Sequence, residues 1–123
     1  MQVELVAADR LVWSGEATMV IARTTEGDVG ILPNHAPMLS LMVDGIVDVT
    51  TVEGETWVAA VDAGFLSVAN NLISILSEHA VLAADIDVSA ERSVLDEAQG
   101  EEGEDAEARI RRAEARIRAA ERA

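Results

Sequence analysis

The sequence predicts an all-β sandwich, a flattened barrel of about ten short strands, over residues 1–85, followed by an α-helical hairpin over residues 88–123. Three observations predict it. Through the first 85 residues, short apolar runs alternate with polar positions at a period of two and are separated by turn residues. After Asp85 the period lengthens to that of a helix. Between the two helical segments lies the polar connector Gly100-Glu101-Glu102-Gly103-Glu104-Asp105, too charged to be buried.

The strands follow in order. Val3 and Leu5 alternate with Gln2 and Glu4, which marks a half-buried first strand. Val12-Trp13 before Ser14-Gly15, and then Met19-Val20-Ile21, supply two further strands by β-branched and aromatic content. Val47 and Val49 alternate with Asp48 and Thr50, while Trp57, Ala59 and Val61 share a face; Glu53-Gly54-Glu55 is the turn between these two runs. Phe65-Leu66-Ser67-Val68 and Leu72-Ile73-Ser74-Ile75-Leu76 flank Asn70-Asn71, a turn because Asn tolerates left-handed backbone.

In the tail, Asp87 or Ser89 caps a first helix running through Val94, Leu95 and Ala98 to Gly100, whose tolerance of positive φ suits a helix stop. The second helix carries Ala106, Ile110, Ala113, Ile117 and Ala120 at steps of four and three, a narrow apolar stripe suited to packing on another helix. Glu107 with Arg111 and Glu114 with Arg118 are i,i+4 pairs in the favourable order. An isolated helix shorter than about 12 to 15 residues is marginal in water, so the first helix needs a docking surface and the tail is expected to be bistable, with the connector as hinge.

Composition narrows function. Half of the residues are apolar, enough for a core, and no cysteine is present, so thiol chemistry and disulfides are excluded. The net charge of −14 repels phosphate backbones and anionic lipids, which argues against nucleic-acid binding. No run of eighteen apolar residues occurs and Met1-Gln2-Val3-Glu4 lacks a basic region, so neither membrane insertion nor secretion is expected. The tail is a cationic exception: residues 107–123 hold Arg109, Arg111, Arg112, Arg116, Arg118 and Arg122 against Glu107, Glu114 and Glu121.

Candidate chemistry is sparse. His35 and His79 have no neighbouring His or Cys and read better as a turn residue and a solvated residue than as a base or ligand. Glu26 and Asp28 read as a solvated strand edge, and Trp13 and Trp57 as core or interface residues. A phosphate-cradling loop ending in Gly-Lys is impossible in a chain without lysine. A small hydrolase using His35, His79 and nearby acids is the weakest of three readings, and a free-standing β-sandwich adaptor for a cationic partner is another.

The stretch Gly27-Asp28-Val29-Gly30-Ile31-Leu32-Pro33-Asn34-His35-Ala36-Pro37-Met38-Leu39 gathers both prolines and one histidine into one stiff corner, since each proline fixes its own φ and pushes Leu32 and Ala36 toward extended geometry. It closely resembles the Gly-x-x-Gly-Ile-Leu-Pro-x-His-Ala-Pro-Leu signature of the epsilon subunit of F-type ATP synthases, with Met38 in place of leucine. The N-terminal strands, the Asp62-Ala63-Gly64-Phe65-Leu66 stretch and the helical hairpin tail extend the resemblance over nearly the whole chain. It implies a noncatalytic central-stalk subunit, peripheral on the cytoplasmic face of the cell membrane, that couples proton-driven rotation of the c-ring to ATP synthesis. Its implied partners are the gamma subunit, the c-ring subunits through Asp28, Gly30, Pro33 and His35, and the alpha and beta subunits through Arg109, Arg111, Arg112, Arg116, Arg118 and Arg122. The last contact would let the C-terminal helices hinder ATP hydrolysis. No cofactor is implied: where many members carry Ile-Asp-x-x-Arg-Ala as part of an ATP site, Ile86-Asp87-Val88-Ser89-Ala90 places alanine at the arginine position.

Overall fold

The computed structural model describes residues 1–122, as nine strands followed by two helices. The strands are β1 (Gln2–Ala7), β2 (Arg10–Thr24), β3 (Gly27–Ile31), β4 (Met38–Met42), β5 (Gly45–Thr51), β6 (Thr56–Val61), β7 (Gly64–Ala69), β8 (Leu72–Ser77) and β9 (Ala80–Leu82). A single 3-10 turn at Ala83–Asp85 leads to α1 (Val88–Gln99) and α2 (Glu104–Arg122).

The strand pairing runs β1-β8-β7-β4-β2-β5-β6-β9, with β3 on β2 and β1 closing back onto β2. All neighbours are antiparallel except β1 and β8, which pair in parallel from Gln2 opposite Leu72 to Val6 opposite Leu76. One layer is β1, β8, β7 and β4; the other is β5, β6 and β9, with β3 beside β2. Between them Val3, Leu5, Val20, Ile31, Val47, Val49, Leu66, Ile73 and Ile75 are fully buried, as the period-two alternation demands.

Nine strands form where about ten were expected, because Ser14-Gly15 does not interrupt the chain. β2 runs unbroken for 15 residues, pairing with β1 up to Glu16 and with β5 and β3 beyond it. It turns from one layer to the other through irregular register at Leu5/Val6 of β1 and Ala17/Met19 of its own course. Gly15 lies against the Trp13 ring, where an added Cβ would come within 2.8 Å of two ring atoms, so a packing need and not a turn explains that glycine. Trp13 in turn meets Trp57 with ring centroids 4.7 Å apart at the edge of the core.

The turns at Gly54, with φ +89°, and at Asn70 and Asn71, with φ 51° and 62°, form as the residue types predict. Asp87 caps α1, its carboxylate accepting from the Ala90 amide at 3.1 Å. Gly100 ends that helix at φ −86°, so no left-handed stop is used there; the left-handed residue is Gly103, with φ +111°. Because α2 starts at Glu104, the connector shortens to residues 100–103.

The second helix corrects the single-stripe reading. Ala106 and Ala113 are buried, but so are Ala115 and Ala119, while Ile110, Ile117 and Ala120 are only half-buried. Ala119 packs with Val58, Ala60 and Ala83, flanked by Ile46 and Ile86, so α2 buries a second face on the outer side of β5 and β6 as well as touching α1. This is why β6 is buried on both faces from Val58 to Val61.

Candidate protein-docking surfaces

The corner is built by the end of β3. Ile31 is buried, and the chain then leaves the sheet with Leu32, Pro33 and Asn34 exposed. Asn34 adopts φ 65°, and the turn closes with the His35 amide donating to the Leu32 carbonyl at 3.2 Å. The His35 ring is turned onto its own loop, where its Nδ1–H donates to the Ala36 carbonyl at 2.7 Å. Asn71 supplies a support that sequence reading missed, since its side-chain oxygen accepts from the Asn34 amide at 2.8 Å and ties the corner to the β7–β8 turn. Only the coincidence of two turn-forming Asn residues hinted at it.

Asp28 does not join Pro33 and His35. It sits near the other end of β3, opposite Arg23 in the ladder, about 10 Å from the strand's last residue Ile31 at 3.3 Å per residue. Arg23 Nε donates to its carboxylate at 2.9 Å. The guanidinium holds the Asp28 carboxyl below the usual carboxylate range, by this hydrogen bond first and by its charge second; slight desolvation opposes and the Arg122 charge adds a smaller pull. A carboxyl depressed in the folded state contributes stability above its unfolded pKa and loses it as pH falls through the folded value. Both groups are exposed, so that contribution is small. Arg23→Gln is expected to raise the Asp28 midpoint, followed by carboxyl-carbon NMR; an unmoved midpoint would show that Arg23 does not control it.

Gly30 is exposed, and a Cβ added there meets nothing within 4 Å. Nothing inside the chain requires glycine at this strand position, which leaves the backbone open to close approach from outside.

A second surface lies on the outer face of the layer that the helices leave bare. Leu41 stands opposite Phe65 in the β4–β7 ladder, Phe65 opposite Leu76 in β7–β8, and Leu76 opposite Val6 in β8–β1. Leu41, Phe65 and Leu76 are 52%, 49% and 43% exposed, and Leu39, at 73%, continues the row toward the corner. A row of large apolar groups across four strands is more than scattered surface leucines, and marks a contact surface.

The third feature is the seam between hairpin and sandwich. Asp44, in the β4–β5 turn, and Asp62, in the β6–β7 turn, have nearly buried carboxylates. Arg111 and Arg112 reach Asp44 at 3.6 and 3.9 Å, Arg112 and Arg116 reach Asp62 at 3.5 and 3.7 Å, and Arg122 reaches Asp48 at 3.0 Å. Arg116 also faces Glu91 of α1 at 3.6 Å. Arg109 pairs within the hairpin, with Glu101 at 2.7 Å, and Arg118 has no ion partner among the described residues. The expected helix pairs Glu107–Arg111 and Glu114–Arg118 do not form among the described residues: Arg111 reaches across to Asp44 of the sandwich instead, and nothing in the structure explains the second. His79, expected as solvated, donates its Nδ1–H to Asp62 at 3.1 Å while most of its ring stays exposed.

Among the described residues no cluster of three His, Cys, Asp or Glu has metal-binding geometry, and no helix is long and apolar enough to cross a membrane. A stiff corner, a bare apolar row and a charged hairpin seam define a module whose surfaces are shaped for protein contact. Residues 1–83 match the family model of the ATP synthase Delta/Epsilon chain beta-sandwich domain. The chain is 53% identical to the ATP synthase epsilon chain of Rhodococcus jostii, over all of this chain and 98% of that one, and 51% identical to that of Streptomyces avermitilis, over 97% and 94%. Its fold is shared with a chain in the Euglena gracilis mitochondrial ATP synthase, with a TM-score of 0.73 at 24% identity over 97% of this chain and 76% of that one. A chain of the Tetrahymena thermophila central stalk and c-ring structure gives 0.65 at 16% identity, over 98% and 96%. The chain belongs to the ATP synthase epsilon chain family.

Proposed function

We propose that this chain is a coupling piece of the central stalk, clamped between the gamma subunit and the c-ring at the cytoplasmic face of the membrane. The observation that carries this reading is the bare row Val6, Leu76, Phe65 and Leu41, which has the apolar character of an interface centre and lies opposite the face that the hairpin covers. The row takes gamma. The corner with Gly30, Pro33 and His35, together with Asp28 farther along β3, takes the polar loops of the ring. The close approach left open at Gly30 supports this assignment, as does the pinning of Asn34 by Asn71, because a fixed corner transmits torque better than a loose one.

In this reading the sandwich of residues 1–85 is the rotor-binding unit and the hairpin of residues 88–123 is a mobile regulatory unit whose arginines meet acidic loops of alpha and beta when it is released. No regulatory ATP site is assigned, since Ala90 lacks the guanidinium that such a site needs. The test is a pull-down of the tagged chain from gently solubilised membranes. Gamma and ring subunits are expected to co-purify although no helix among the described residues is long and apolar enough to cross a membrane; recovery of the chain alone would favour a free-standing adaptor.

A further inference from the structure

We propose that the docked hairpin is held by an ion-pair clasp, in which Asp44, Asp62 and Asp48 of the sandwich occupy the same guanidiniums that an acidic partner surface would use. The inference rests on the regulatory role just assigned to the hairpin, and states what restrains it. Docking and outward contact are then mutually exclusive, because Arg111, Arg112, Arg116 and Arg122 cannot serve both sets of carboxylates.

What sets this seam apart from incidental surface pairing is its nearly buried carboxylates, even though Arg111 and Arg122 stay 60% and 55% exposed. The sandwich fixes two of its carboxylates by itself: Asp44 accepts from the Ala63 amide at 2.7 Å, and Asp62 accepts from His79 Nδ1–H at 3.1 Å. Both are therefore in position before α2 arrives, and little side-chain order must be created on docking. Their side chains retain only 8% and 7% of their exposure, where charge interactions are less screened than at an open surface. Four arginines converge on three aspartates, and Arg116 bridges Asp62 to Glu91 of α1, so both helices are tied to the same point. The apolar contribution beside it is modest, Ala119 against Val58, Ala60 and Ala83. With alanine as the largest buried side chain α2 supplies, apolar burial alone is a weak hold.

A hold made of ion pairs weakens with salt, whereas apolar docking does not. Amide hydrogen exchange on the full chain, followed at 50 and 500 mM NaCl, reads this directly. Protection over residues 109–119 is expected to fall at least about tenfold at the higher salt, while β5 and β8 keep theirs. In the Asp44→Asn, Asp62→Asn double variant, protection of α2 is expected to be low already at 50 mM and to respond little to salt. Poly-glutamate at low salt is expected to release α2 in the unmodified chain, and neutral poly-glutamine is not. Salt-independent protection of α2 overturns the clasp even where the double variant fails to fold, and so does a poly-glutamate effect no larger than that of poly-glutamine. None of these outcomes bears on whether the chain co-purifies with gamma and ring subunits, so the clasp and the stalk assignment fail separately.

Discussion

Gly64→Ala is expected to destabilise the chain by about 3 kcal/mol or more, lowering its thermal midpoint by roughly 10 °C. A Cβ built on Gly64 falls 1.9 Å from the Leu76 carbonyl oxygen, 2.9 Å from its carbon and 3.0 Å from Ser77 Cα. These are backbone atoms, so no rotamer change relieves the clash. Nor does β8 have room to retreat, since it is paired with β7 on one side and β1 on the other. Gly64 is also held by Met42 across the β4–β7 ladder. The comparison is Gly30→Ala, where the open space predicts a change within about 0.5 kcal/mol in the isolated chain. Urea unfolding of both variants checks the pair, and a Gly64 variant within about 1 kcal/mol of the parent would show that the strand gives way easily.

Phe65→Asp is expected to leave the fold intact and to weaken assembly with the stalk by about 100-fold, the scale of losing an aromatic anchor at an interface centre. Phe65 is half exposed on the outer face of β7, with Leu41 on one side and Leu76 on the other. An aspartate there puts a charge in the middle of the apolar row, where burial by a partner leaves it unpaired. Thermal unfolding of the isolated variant should stay close to the parent, and capture of gamma in the pull-down should fail. Undiminished capture would move the gamma-binding face elsewhere on the sandwich.

Much of the sandwich was legible because period-two alternation is a local property. Leu5, Val49, Ile73 and Ile75 announce their inward face from neighbours alone, and Gly54, Asn70 and Asn71 mark their turns by backbone preference. Ser14-Gly15 misled for the opposite reason: the need for Gly15 arises from the Trp13 ring above it, a contact that residue preferences do not encode. The corner was recognisable from Pro33 and His35, yet its tie to Asn71 spans 37 positions and becomes visible only once β3 and β8 are placed. The helix start at Asp87 followed from capping chemistry, whereas the stop at Gly100 fell where expected without the left-handed backbone that had motivated it. The fate of the arginines was not legible, since an i,i+4 partner is visible along the chain and Asp44 or Asp62 is not.

The continuity of β2 bears on how force crosses the molecule. One covalent strand belongs to both sheets, joined to β3 and β5 at its C-terminal half and to β1 at its N-terminal half. A sideways load delivered to the proline corner at the end of β3 therefore enters the layer bearing Phe65 along a peptide chain as well as through side-chain packing. Sliding one sheet past the other would require tearing the β2 ladders, so the two layers resist shear as one stiff plate.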